Sequence, residues 1–203
     1  MRTVRWVLAF VLLLPILTAT AADDKGGVND EGFIQRFLVL APIPMPDGQS
    51  GAEALDKEQV KEEAKLKAKA GTKVKVGNKD LTWKEVTCKD FLLDFNELLG
   101  AQVEDSVAYA VTYIVAPEEL KNIKMKTGSD DQVKVFLNGK EVLKISDARP
   151  AEKDQDTTEV TLKKGVNVLV AKVVNEKVDW SFCVRFTDKD DKPLTKLTSR
   201  TTE

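Results

Sequence analysis

After residue 72 the chain alternates apolar and polar residues with a period of two, the period of half-buried strands. Lys73-Val74-Lys75-Val76, then Gly77-Asn78, then Thr82-Trp83-Lys84-Glu85-Val86 predicts two short strands around a turn. Ser106–Val115 places Val107, Tyr109, Val111, Tyr113 and Val115 on one face and the small Ala108 and Ala110 on the other. Lys121–Thr127 alternates again. Gln132–Leu137 and Lys140–Ile145 flank Asn138-Gly139, a pair that specifies a two-residue type I′ reversal because both positions tolerate positive φ. Further strands are expected at Thr157–Leu162, Val166–Val174 and Trp180–Thr187. Val166–Val174 is apolar on both faces and belongs in the middle of a covered sheet. Trp180, Phe182, Val184 and Phe186 share a core-facing side, with Ser181, Cys183 and Arg185 opposite.

Upstream the period differs. Phe33–Ala41 is a β-rich apolar run that stops at Pro42, with Pro44 and Pro46 behind it. Glu53–Ala70 holds little besides Ala, Leu, Glu and Lys, closed by Gly71, and predicts a surface helix with a thin stripe of Leu55, Val60, Ala64 and Ala68. Phe91–Leu99 fits a loop with a turn of helix. The expected architecture is an all-β antiparallel β-sandwich over residues 32–188 with a helical insertion at 53–70. A flexible lead-in (22–31) precedes it and a frayed polar tail (189–203) follows. Helices between successive strands, as parallel α/β folds require, are missing from the pattern.

Arg2 and Arg5, the apolar run Trp6–Leu17 and the small residues Thr18–Ala22 have the order of a secretory signal peptide, cleaved after Ala21. The run's 12 residues fall short of the roughly 20 that span a membrane. The mature chain is therefore expected outside the cytoplasm, secreted or periplasmic, with no transmembrane segment. Of 31 basic residues, Arg2 and Arg5 leave with the signal; 29 remain against 33 acidic ones, a net charge of −4. Both signs are interspersed, which argues against a nucleic-acid partner. Histidine is absent, which excludes imidazole-activated nucleophiles and His-ligated zinc or iron. The two cysteines, Cys88 and Cys183, either form a disulfide across a long loop or pack as separate buried thiols.

Three stretches together resemble the galactose-binding-like jelly-roll domains of exported bacterial proteins. Gly128-Ser129-Asp130-Asp131-Gln132-Val133-Lys134-Val135-Phe136-Leu137-Asn138-Gly139-Lys140 is similar to the family's hairpin signature. Leu162–Val173 with Trp180–Asp188 is similar to its closing strands, and Phe37–Pro44 to its opening strand. The resemblance implies a secreted, non-enzymatic module that binds carbohydrate or accompanies carbohydrate-active enzymes. Through a more distant likeness to protective-antigen-type lectin domains, it also implies calcium on Asp130 and Asp131. Gln132 stands where the signature has glycine.

The residues themselves allow simpler roles. Gly-Ser-Asp-Asp is good turn chemistry, with carboxylates capping backbone amides. Trp83, flanked by Thr82 and Lys84, is the expected exposed platform for a sugar ring, and Trp180 the expected core residue. Asp147, Arg149, Asp154, Gln155 and Asp156 form a polar loop of the kind that carries binding residues on a rigid sandwich. Partner readings are a polysaccharide or glycan, or a protein of the cell envelope for which the chain is a structural or interaction module. A carboxylate glycosidase using a pair such as Asp154 and Asp156 is the enzymatic alternative.

Overall fold

The computed structural model describes residues 26–203; the signal segment and the first residues of the lead-in lie outside them. The strands are β1 (Arg36–Pro44), β2 (Lys73–Val76), β3 (Lys79–Thr82), β4 (Lys84–Thr87), β5 (Leu93–Asp94), β6 (Ser106–Ala116), β7 (Leu120–Asp130), β8 (Val133–Leu137), β9 (Lys140–Ile145), β10 (Asp156–Leu162), β11 (Gly165–Asn175), β12 (Ser181–Thr187) and β13 (Thr198–Arg200). Two short helices accompany them, α1 (Gly51–Asp56) and α2 (Phe95–Leu99). The large sheet runs β4-β1-β6-β11-β8-β9, with β13 added to β6. The small sheet runs β10-β7-β12-β5, and β2 and β3 form a separate hairpin. These pairings are antiparallel. The chain is an all-β sandwich with a small helix, compatible with a jelly roll.

The alternation read from sequence decides which core each side chain enters. On β6, Ala108, Ala110, Ile114 and Ala116 face the small sheet and meet Phe182, Val184 and Phe186 of β12. Phe37 and Phe182 meet edge-on at 6.4 Å between ring centres, and Trp180 lies 4.9 Å from Phe95. The other face of β6, with Val107, Tyr109, Val111 and Tyr113, packs under a second core closed by the segment between β1 and β4. As expected, β11 is central, between β6 and β8. At Asn138 and Gly139 φ is 52° and 82°, the values a type I′ turn needs. Asn138 also accepts the Val168 amide through Oδ1 (3.0 Å), which ties the reversal to β11.

The long surface helix does not form. Ser50 caps α1 in a capping box with Glu53, but the helix ends at Asp56, and beyond it only a single 3-10 turn (Glu63–Lys65) is helical. The cause is tertiary. The Lys172 ammonium, from the middle of β11 and with a side chain fully buried, donates to the carbonyls of Leu55 (3.0 Å) and Lys57 and to the Glu63 carboxylate (3.2 Å). Tyr109 donates its hydroxyl to Glu63, and Tyr113 to the Ala68 carbonyl at 2.7 Å. Carbonyls that helical hydrogen bonds would have used are thus occupied. A near-extended chain also covers about twice the length per residue of a helix, so Leu55, Val60 and Ala68 all reach the sheet and are buried.

Other expectations also change. The Thr82–Val86 run breaks at Trp83: β3 pairs with β2, whereas β4 crosses to the large sheet beside β1. The tail is not frayed, since β13 pairs with β6 and Leu197 is 2% exposed. The described end of the lead-in is also fixed, with Val28 buried and bridged to Ile34. No helix among the described residues is long and apolar enough to cross a membrane.

Burial pulls the Lys172 ammonium below its ordinary pKa, and Glu63 opposes that shift. Truncating Glu63 to alanine strands a buried cation; the expected loss is about 3–5 kcal/mol in urea unfolding. An unchanged midpoint would show that the pair does not hold the insertion.

Candidate functional site

The outer face of the small sheet presents the even positions of β7 and the odd positions of β12: Lys124, Lys126, Gly128 and Asp130 beside Cys183 and Arg185. The loop after β9 lies across this face as a strap. Gly128 lets it approach: a Cβ at that position would stand 1.9 Å from the Glu152 carbonyl oxygen. A glycine inside a strand is the sequence mark of such close backbone contact.

Two arginine–carboxylate forks fasten the strap. Arg185 on β12 donates from Nε to Asp154 Oδ1 (2.7 Å) and from Nη2 to Oδ2, and Lys126 stands 3.6 Å from the same carboxylate. Burial acts to raise the Asp154 carboxyl, but Arg185 and Lys126 outweigh it and hold the group below its ordinary range. Within the strap, Arg149 forks onto Asp156 (Nη1 to Oδ1, 3.0 Å) and reaches the Ser129 hydroxyl at 3.3 Å. Gln155 accepts the Ser129 amide and donates to the Pro150 carbonyl. Bidentate pairs of this kind fix orientation as well as charge.

Asp130 and Asp131 sit at the end of this face, each 9% exposed. The Glu176 amide donates to Asp131 Oδ2 at 2.9 Å. Asp131 is thereby tied to the β11–β12 connection. No arginine or lysine side chain pairs with either among the described residues. Burial, then the charges of Asp131 and Asp179, push the Asp130 carboxyl up to about 6; burial raises Asp131 as well. Gln132 is 2% exposed and packs directly against Gly51.

The expected site residues thus separate. Asp130, Asp131, Arg149, Gln155 and Asp156 come together, Asp154 anchors the strap beside them, and Asp147 is exposed on it. Trp83 does not belong: it is 3% exposed in the second core, beyond the large sheet, and offers no platform. Its flanking Thr and Lys signal exposure only if the strand continues, and it does not. Cys88 and Cys183 form no disulfide; both are buried free thiols, pushed up to about 12 by burial. Among the described residues no group of three or more His, Cys, Asp or Glu side chains is placed to hold a metal ion, so calcium at this end would complete its usual six to eight oxygens from carbonyls and water. Sequence reading passed over Lys126, Gly128 and Arg185, whose strand parity placed them on the strap side. No family model matches the chain, and no curated protein matches it either.

Gly128→Ala is expected to lift the strap, speeding tryptic cleavage after Lys153 and costing about 1–3 kcal/mol in unfolding; native protease resistance at unchanged stability would place the strap elsewhere. Asp130 gives a pH test. Its folded pKa lies above its unfolded one, so its contribution is fully present below pH about 4 and lost as pH rises through about 6. The stability of the native chain relative to Asp130→Asn should fall between pH 4 and 7 in urea midpoints. A pH-independent difference would contradict this.

Proposed function

We propose that the mature chain is an exported, non-enzymatic β-sandwich of galactose-binding-like type that holds a glycan at the strap end of its small sheet. The observation carrying this reading is the Asp130–Asp131 pair: two nearly buried carboxylates, Asp131 held by the Glu176 amide, neither with a cationic side-chain partner among the described residues. Arg149 and Gln155 stand next to them on the fixed strap. Acceptors and donors held in place at a partly covered edge suit the vicinal hydroxyls of a sugar, whose desolvation they offset without an ordering cost. The fold class and the Asn-Gly hairpin signature support the same reading, and the signal-like N-terminus supports export. A calcium ion shared between carboxylates and sugar hydroxyls is the form in which the acidic pair would bind most strongly.

Polysaccharide pull-down and a glycan array on the mature chain test this, each with calcium and with chelator. Retention on at least one neutral glycan is expected, lost in Asp130→Asn and weakened in Asp147→Ala, the latter without a change in melting temperature. Retention on no glycan under either condition would overturn the reading.

A further inference from the structure

Charges that are interspersed along the whole chain are locally segregated. Between Lys65 and Lys79 stand six lysines and no acidic residue, so this stretch carries +6 in a chain of net −2, leaving −8 for the remainder. All six, Lys65, Lys67, Lys69, Lys73, Lys75 and Lys79, are exposed. Among the described residues Lys67 pairs with Glu203 at 2.7 Å, and no ion pair involves the other five.

Their arrangement is fixed from below. Leu66, Ala68, Val74 and Val76 turn into the second core, so Lys65, Lys67, Lys69, Lys73 and Lys75 stand outward, with Asp80 across the hairpin from Lys75, whereas Lys79 pairs with Val76 and shares its side. The backbone beneath them is held by the Tyr113 hydroxyl on the Ala68 carbonyl and by Trp83, whose carbonyl takes the Gly71 amide (2.9 Å) and whose amide goes to Thr72 (3.0 Å). Lys65 and Lys67 also border a depression of about 310 Å3 whose floor includes Leu66, Gly139 and Val168. Cations on a rigid frame around an apolar hollow combine salt-dependent attraction with a surface on which a sugar ring can lie.

We infer that this lysine face binds a linear anionic polysaccharide carrying carboxylate or sulfate groups along its length. A single-stranded nucleic acid would want aromatic rings for its bases, and the aromatic residues of this region, Trp83, Tyr109 and Tyr113, are all buried. A membrane surface would want apolar side chains to insert, and those of the segment point inward; the exposed large hydrophobics, Val166 and Val178, lie outside it. The face is on the far side of the large sheet from the strap, so it stands or falls independently of the Asp130 site.

The test uses the mature chain with heparin as a sulfated probe and polygalacturonate as a carboxylated one. Dextran, duplex DNA and phosphatidylglycerol vesicles serve as comparisons, at 50 and 200 mM salt. Binding to at least one anionic polysaccharide is expected, weakening about tenfold or more across that salt range. Joint replacement Lys65→Gln, Lys69→Gln, Lys73→Gln and Lys75→Gln should weaken it about tenfold at 50 mM salt, with the melting temperature unchanged, whereas Asp130→Asn should leave it intact. No binding to either polysaccharide, an unchanged affinity in the lysine variant, or tighter binding to duplex or vesicles would overturn the inference.

Discussion

A lysine ammonium buried in the middle of a β-strand is the constraint around which this chain is arranged. Lys172 is the one charged residue in the apolar run Val166–Val174, and its strand lies between two others, leaving its side chain no sideways route to water. A buried cation is tolerable only with full hydrogen bonding and a counter-charge. Leu55, Lys57 and Glu63 supply both, and to do so the insertion must lie flat on the sheet. The large sheet is thereby covered on both faces, by the small sheet on one side and the insertion on the other.

That arrangement distributes the surfaces left for binding. The inner face of the small sheet belongs to the core, so its outer face carries the strap, which Asp154 fastens to Arg185 while Arg149 forks onto Asp156 beside Ser129. The insertion turns its apolar residues down and its lysines out, which puts a basic face on the opposite side of the molecule. Acidic acceptors at one side and exposed cations at the other suit ligands of different charge.

Much of the fold was legible in the sequence where local chemistry and tertiary packing agree. The Asn138-Gly139 reversal needs positive φ at both positions, and the two-faced apolar run of β11 needs two-sided cover; each is a local statement with one solution. The insertion was not legible for the complementary reason. Ala, Leu, Glu and Lys favour helix, but the competing hydrogen bonds come from Lys172, Tyr109 and Tyr113, far away in sequence. Trp83 was misplaced by the same kind of long-range event, a crossing between sheets that no alternation records. The tail, polar by composition, finds its place only because β6 has a free edge near Val115 and Tyr113. At the site, the aspartates and Arg149 could be singled out by residue type, whereas Arg185 and Gly128 acquire meaning only from the strand register.

The covered sheet depends on Lys172 being a sequestered, hydrogen-bonded ammonium. Nitrogen-15 NMR of lysine side chains near neutral pH measures that directly. A slowly exchanging ammonium signal with through-space contacts to the Leu55 and Tyr109 protons is expected, absent from the Lys172→Met protein. A spectrum in which every lysine ammonium exchanges as fast as a solvated one would contradict the buried anchor and the covered sheet built upon it.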